Sequence, residues 1–454
     1  MTGTARKLRP SLVLTVTMLG TLMVFSSTTS INVALPAIAD ALHPGAGVAD
    51  WFLLAYMLAN SVLILVFARI SDFLGRRTIY LAGVALMTAA SIACALAPDT
   101  VIFIAMRALQ GVGAAIVLTN VNALVADVYP EGRRSAALGL NVMGGSVAGA
   151  LGPVLGGVLV GSLGWQSVFL VNVPFGIAGL VLGLIVLPRA GTASRGRERF
   201  DGAGAVLSVI TLFALLFAIN RISAWGIADL RVVLSFVVAV LAFAAFAVVE
   251  ARQASPLIDL DVITRGRRYF AYAAVFFISV PQSTLPIAIV LYEQLVLGRS
   301  ATSAGLVIIP FAVVVAITAP IAGRVVHRHP PHRLPIVGGL VMSVGLVILL
   351  GYFTLGAPSW MLFGALVVAG FGNGLFHTPN IAVIMSGIPS NRFGVAGGVR
   401  SVLFNSSQSI GTAVVLLILG AWFTRAGGSG LSQRIQNPAL VEPAFVIVSL
   451  VMIG

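Results

Sequence analysis

The feature that most constrains this chain is the recurrence of apolar stretches about as long as a bilayer is thick. A helix needs roughly twenty apolar residues, rising ~1.5 Å each, to cross a hydrocarbon core of ~30 Å. Runs of that kind occupy residues 11–35, 51–70, 78–97, 101–126, 136–161 and 166–188. A second series follows at 202–222, 231–250, 269–292, 302–324, 334–355, 359–386 and 394–423. Charged residues make up 9% of the 454, against about 25% in an ordinary soluble domain. The expected fold class is therefore all-α, a polytopic membrane protein whose spanning helices form their own core. A last apolar run, 443–454, would cover only ~18 Å as a helix. It reads as the first part of a fourteenth span in a chain cut short.

Charge placement orients these spans. Basic residues outnumber acidic ones 27 to 14, a net charge of +13, and Lys7 is the sole lysine. They cluster at Arg6, Lys7 and Arg9, at Arg69, Arg76 and Arg77, and at Arg133 and Arg134; further clusters lie along 189–199, along 252–268, and at Arg324, Arg328 and Arg333. The intervening loops 36–50, 97–100, 162–166 and 356–358 hold few. A basic excess in every second loop is the positive-inside pattern. The N-terminus is thus expected on the cytoplasmic side of the cell membrane, and the C-terminus too once a fourteenth span is complete. This accounts for the arginines without a nucleic-acid partner. Cys94 is the single cysteine, which excludes an intrachain disulfide and any multi-cysteine metal site; it reads as a small core residue. The opening "MTGTARKLRP" runs into a span-length helix without a cleavable signal, so the first helix is expected to serve as the targeting signal.

The chain repeats itself faintly. "ARISDF" (68–73) resembles "GRVVHR" (323–328), and "GVGAAI" (111–116) resembles "GNGLFH" (372–377). Their separations fit a six-helix half over 1–200, two additional helices with cytoplasmic linkers over 201–268, and a second half over 269–454 with its last helix cut short. Such repeats are common in transporters, with a binding site between the halves near the membrane midplane.

Three motifs carry the chemistry. "ARISDFLGRRTIYLAG" (68–83) joins the second and third spans so tightly that Arg69, Asp72, Gly75, Arg76 and Arg77 must stay at the cytoplasmic rim. An acid among three arginines can form a charge network, and Asp72 could face the positive end of a neighbouring helix. On its own the loop reads equally as a turn with basic anchors. "RALQGVGAA" (107–115) opens the fourth span with Arg107 about six residues inside. A charge costs at least ~2.5–3.5 kcal/mol near a helix centre, so Arg107 should face the bundle interior or a wet cavity, with Gln110 and Gly111 on its face; snorkelling to the outer interface is the alternative. In "GALGPVLGGVL" (149–159), Gly149, Gly152 and Gly156 continue from Gly145 in steps of four, three and four. They form one helical stripe against which another helix can approach closely. Gly157 adjoins it, and Pro153 frees a carbonyl near 149 and can kink the helix.

The rim loop resembles the signature loop of the major facilitator superfamily, although Ala68 and Phe73 stand where that family usually has glycine and a basic residue. The resemblance implies a latch that stabilises one conformational state. Arg107 and its followers are similar to the family's fourth-helix motif, whose arginine is linked to proton transfer. Guanidinium stays protonated, so the implied role is to tune the pKa of a nearby acid or water. "GALGPVLGGVL" matches the motif of exporting, antiporter members, static packing being the alternative. "SINVALPAIADAL" (30–42), "WQSVFLVNVPFGI" (165–177) and "LYEQLVLGRSATSAGLVIIPFAV" (291–313) resemble the fourteen-span drug:proton antiporters of the superfamily. The implied architecture is two six-helix halves plus two extra central helices.

One departure bears on coupling. That branch usually carries an acid in the first span, and here Ser27 stands at the corresponding place. The proton-coupling candidates are Arg107, Glu293 near an outer mouth, His377 in the twelfth span, which titrates closest to neutrality, and Arg400 in the thirteenth. Hydrogen-bonded packing is the alternative for His377, and snorkelling for Arg400. A cavity poor in acids is a weak home for a permanent dication, so a neutral, weakly basic or amphipathic small molecule is expected. Asn32, Gln110, Asn120, Asn141, Gln282, Asn373, Asn405 and Gln408 are candidates to bind it through uncharged hydrogen bonds; each serves as well to bond helix to helix. The resulting expectation is a monomeric secondary transporter, without metal or other cofactor, that exports hydrophobic or amphipathic compounds by alternating access in exchange for protons, as in multidrug efflux. The competing expectation is a dedicated exporter of one metabolite or lipid, with or without proton coupling. No clustered carboxylates, nucleophile–base pair or phosphate-cradling lysine loop argues for an enzyme.

Overall fold

Helices account for all the regular structure in a computed structural model that describes residues 10–45, 48–188, 201–253, 268–299, 301–326, 332–356, 358–388, 393–425 and 442–453, with Gly266 and Pro330. The basic runs expected at 6–9, 189–199 and 254–265, and Arg328, lie outside the described residues. In chain order the helices are α1 (Pro10–Thr29), α2 (Ile31–Leu42), α3 (Trp51–Leu74), α4 (Arg76–Ala95), α5 (Thr100–Val128), α6 (Glu131–Leu163), α7 (Ser167–Leu170) and α8 (Asn172–Val186). They continue with α9 (Gly202–Trp225), α10 (Leu230–Arg252), α11 (Arg268–Leu295), α12 (Ala301–Leu306), α13 (Ile309–Val325), α14 (Arg333–Leu355), α15 (Ser359–Met385), α16 (Phe393–Arg425) and α17 (Glu442–Ile453).

Twelve helical stretches among the described residues are long and apolar enough to cross a membrane. This is the all-α membrane-spanning class expected. The 33-residue α6 holds a shorter apolar stretch, Ala136–Gly149, and α17 holds Pro443–Ile453. Three expected spans are interrupted. The first breaks at Ser30, whose N–H still reaches the Ser26 carbonyl at 3.0 Å. The run at 166–188 divides into α7 and α8, and that at 302–324 into α12 and α13. Pro310 lies in the first turn of α13, where its missing N–H and fixed φ suit a helix start.

The chain folds as two units. The first comprises Met1–Ala205, Glu250–Val262 and Gly387–Ser401; the second comprises Val206–Val249, Ile263–Ser386 and Val402–Gly454. At the centre of the first, α5 packs against α3 and α4 at backbone contact. Gly111 lies against the Tyr56 carbonyl, and a Cβ on Gly113 would come within 2.8 Å of the Met87 nitrogen and 3.0 Å of the Gly83 oxygen. In the second unit α15 does the same against α13 and α14. A Cβ on Gly370 would lie 2.7 Å from the Phe311 oxygen, and one on Gly372 would lie 2.6 Å from the Gly338 oxygen and closer still to the Met342 nitrogen. Tyr56, Gly83, Met87, Gly111 and Gly113 therefore correspond to Phe311, Gly338, Met342, Gly370 and Gly372. The pairing of 68–73 with 323–328 keeps this register. Along the central helix the true register lies two positions from the one suggested by matching 111–116 with 372–377. Backbone approach fixes it, and the likeness of the side chains misleads.

Aromatic rings fill one end of the first unit's core. Phe103 meets Phe52, Phe169 and Trp165 edge to face, with centroids 4.8, 5.5 and 5.9 Å away. In the second unit Tyr292 packs on Tyr352, Phe353 and Phe445, so α17 closes that core. Ala218 and Ile222 of α9 pack with Val232 of α10, and Leu417 of α16 covers the cluster.

Candidate functional site

The rim loop is a turn made by one residue. Gly75, at φ +92°, ends α3 and starts α4, a backbone conformation glycine adopts at little cost. The turn puts Arg76 between two acids: Nη2 lies 3.3 Å from Asp72 Oδ1 and Nη1 donates to Asp127 Oδ1 at 2.6 Å. Arg77 Nη2 donates to the Leu184 carbonyl at 2.7 Å, at the carbonyl-rich end of α8 where a cation is favoured. Arg69 sits over the Phe73 ring at 5.9 Å. Asp72 Oδ2 is buried without a hydrogen-bond partner among the described residues. Ala68 of the same loop meets α16, where a Cβ on Gly398 would come within 3.1 Å of it. Nearby, Arg134 Nη2 donates to the Ala126 carbonyl at 3.0 Å and its guanidinium lies 5.0 Å from the Phe393 ring centroid. Asp127 completes the network because the last turn of α5 packs beside α3 and α4.

Deeper in the first unit lies a second polar centre. Arg107 is 1% exposed. Its Nε donates to the Phe52 carbonyl at 2.9 Å and its Nη1 to Gln110 Oε1. The guanidinium stands over the Tyr56 ring at 4.4 Å and 5.9 Å from Phe169; such cation–π contacts are worth ~2 kcal/mol or more when desolvated. Gln110 Nε2 passes the chain on to Ser91 Oγ at 2.7 Å and to Ser27 Oγ at 3.5 Å. The serine that replaces an expected acid thus sits at the end of the Arg107–Gln110 pair. Sequence reading missed Tyr56, Ser91 and Phe169; none carries a charge or a motif that points to Arg107.

The glycine stripe of α6 divides its contacts. Gly145 faces the Phe25 ring, where a Cβ would lie at 3.0 Å. Gly152 lies against Thr29 and Gly156 against the Ser30 carbonyl, 2.9 Å from where a Cβ would be, while Gly157 approaches Val33. These contacts bracket the break between α1 and α2. Gly149 faces open space, with nothing within 4 Å of a Cβ. The side chain of Pro153 lies outside the described set. Asn141, on the same helix, donates to Thr17 Oγ1 at 3.3 Å and accepts from Thr21 Oγ1 at 3.4 Å. Asn120 donates to Ser71 Oγ at 2.9 Å and to the Ile116 carbonyl. Asn32 is exposed.

In the second unit the structure brings two candidates together: His377 Nε2 and Gln282 Oε1 are 2.7 Å apart. Phe376 and Phe404 meet the imidazole edge to face, at 5.1 and 5.7 Å. Asn373, four residues before His377, is buried, and neither end of its amide is hydrogen-bonded among the described residues. Asn405 is half-buried with its Nδ2 in the same condition. Gln408 accepts at its backbone carbonyl from Ser283 Oγ at 3.3 Å. Glu293 stands apart from these. It is fully buried, held by Arg299 Nη1 at 2.6 Å and Tyr352 Oη at 3.4 Å, partners that sequence reading did not assign to it. Arg400 is half-buried on the part of α16 that belongs to the first unit. Among the described residues no group of three or more metal-ligating side chains occurs. The polar centres offer fixed charge, a titratable imidazole and uncharged hydrogen bonds within apolar walls.

Comparison with known proteins places this arrangement. The family model described as Major Facilitator Superfamily matches residues 17–412. The chain is 33% identical to the multidrug resistance protein Stp of Mycobacterium tuberculosis over 94% of its own length and 79% of that protein. It is 32% identical to the tetracenomycin C resistance and export protein of Streptomyces glaucescens, covering 91% of this chain and 76% of that one. Among solved structures, the human organic anion transporter MFSD10 (TETRAN) shares the fold at a TM-score of 0.62 and 17% identity, over 98% of this chain and 99% of that one. The proton:xylose symporter XylE does so at 0.62 and 16%, over 97% and 94%. With a family match along most of its length and relatives a third identical across nearly all of it, this protein belongs to the Major Facilitator Superfamily.

Proposed function

We propose that this protein exports small hydrophobic or amphipathic compounds across the cell membrane by alternating access, in exchange for protons. The observation that carries the reading is the pair of relatives, a third identical along nearly the whole chain, whose names are those of a multidrug resistance protein and an antibiotic export protein. The polar centres supply the parts. The Arg76 network, with Arg69, Asp72, Gly75 and Arg77, is the latch of one conformational state. The stripe of Gly145, Gly149, Gly152, Gly156 and Gly157, with Pro153, is the surface on which α6 moves. His377, with Gln282, is the favoured site of proton exchange, because Glu293 is already committed to Arg299. Arg107 and Arg400 act as fixed charges. Asn32, Gln110, Asn120, Asn141, Asn373, Asn405 and Gln408 offer substrate contacts. The long α6 and the short α17 support a reading of fourteen spans with the N-terminus cytoplasmic, and the protein acts as a monomer without a cofactor.

Inside-out vesicles carrying the full chain test this reading. Uptake of exported dyes should rise with an imposed proton gradient and collapse with an uncoupler, and His377→Ala should remove the gradient dependence. Uptake indifferent to the gradient would remove the antiport claim. A second reading, a dedicated exporter of one metabolite, is favoured by relatives named for single compounds, tetracenomycin C and actinorhodin. Transport of one compound and refusal of unrelated ones would select it.

A further inference from the structure

Arg107 carries a positive charge at any physiological pH, and a buried charge is costly unless something pairs it. Everything around it is neutral. α1 presents Ser27, α3 presents the Phe52 carbonyl and Tyr56, α4 presents Ser91 and the Cys94 thiol, and α7 presents Phe169. Among the described residues no carboxylate joins this group. Asp72 and Asp127 serve Arg76, Glu293 serves Arg299, Asp229 serves Arg231, and Asp99 accepts from the Ile102 N–H at the start of α5. Two edges of the guanidinium are used, Nε and Nη1, while Nη2 donates to no described residue.

We propose that the missing counter-charge comes with the substrate: the first unit binds an organic oxyanion, an aromatic carboxylate or ionised phenol, on Arg107 and Gln110. The Nη2 edge can donate charge-assisted hydrogen bonds to such a group, and Tyr56 and Phe169 are the aromatic neighbours of the guanidinium. This sharpens the substrate class from amphipathic to acidic and amphipathic, and it rests on the export reading. It also gives Ser27 a purpose. A carboxylate at that position would reach Gln110 and compete with the ligand, and a hydroxyl does not.

The test measures binding of naphthalene-2-carboxylate and of its uncharged isostere naphthalene-2-carboxamide to the full chain in lipid nanodiscs at pH 7. The carboxylate should bind at least tenfold more tightly. Arg107→Lys should keep most of that preference and Arg107→Gln should abolish it. Ser27→Asp should weaken carboxylate binding about tenfold and leave carboxamide binding unchanged, whereas Ser27→Asn should alter neither. Melting temperatures separate loss of the site from loss of the fold, and the Ser27 pair decides the matter if Arg107→Gln does not fold. Equal binding of the two probes by the unmodified protein, or a preference that survives Arg107→Gln, overturns the proposal. Vesicles that export the carboxamide but not the carboxylate would overturn it while leaving the export reading intact. A binding preference without transport of any compound would remove the export reading and leave the anion site standing.

Discussion

At the scale of single residues, the charges of this protein are arranged to be held in place. Arg76 lies between Asp72 and Asp127, and its side chain is 13% exposed. Arg76→Ala would remove the guanidinium that bonds both acids, leaving Asp72, whose Oδ2 has no hydrogen-bond partner among the described residues, with Arg69 as its nearby cation. Leaving a buried polar group unsatisfied costs about 1–3 kcal/mol. The expected result is a lower melting temperature together with at least tenfold slower vesicle transport. Arg77→Ala, which loses one bond to a carbonyl, should lower both less. Glu293→Gln should cost about 1 kcal/mol, the scale of one hydrogen bond, since the amide still accepts from Tyr352. It should leave the proton-gradient dependence of transport as it was. Loss of that dependence would move the exchange site from His377 to Glu293.

Residue-scale legibility was uneven for a physical reason. Arg107 and Gln110 stand on one helix face, so their pairing follows from a spacing of three. Asp127 with Arg76 is a pairing across 51 positions, set by which helices are neighbours. His377 and Gln282 were each singled out, yet their contact spans 95 positions and no periodicity reports it. Arg299 lies six residues from Glu293, beyond the end of α11, where helical spacing no longer applies.

At the scale of elements, α6 joins four glycines with unequal duties. The sequence presents them as one stripe, because helical period is all it records. What each faces depends on the partner, and α1 breaks at Ser30 opposite two of them. Gly156→Leu should destabilise the fold, since its Cβ would press on the rigid Ser30 carbonyl; overpacking of this kind costs typically 1–3 kcal/mol. Gly149→Leu should leave the melting temperature within a degree or two and still reduce transport, because it fills open space. If Gly149→Leu transports normally, that space is not part of the path. The central helices allow less. Gly113→Leu and Gly372→Leu each drive a side chain into backbone, at Met87 and Met342, and both should abolish expression of folded protein, measured by gel filtration in detergent.

At the scale of the whole molecule, the all-helical, membrane-spanning class was legible, since bilayer thickness dictates the length of apolar runs. Against thirteen full runs in the sequence, twelve helical stretches among the described residues are long and apolar enough to cross. The breaks within three of the runs were not legible, because a one-residue interruption leaves mean hydropathy unchanged. The internal repeat was detectable in the sequence, and matching 68–73 with 323–328 has the right register; along the central helices the register is readable only from the glycines at backbone contact. That register has an electrical consequence. Carried along the central helices, it makes Leu366 and Ala369 of the second core, both buried among apolar side chains, the equivalents of Arg107 and Gln110 of the first. The repeated cores share a skeleton, and at these equivalent positions only the first bears a fixed charge. A membrane potential does work of ~2.3 kcal/mol per 100 mV on a unit charge that crosses it fully. Voltage therefore pulls on that position in one core and leaves its counterpart in the other alone. Transport should steepen with imposed potential, and Arg107→Gln should flatten that dependence in proteoliposomes clamped by a potassium gradient.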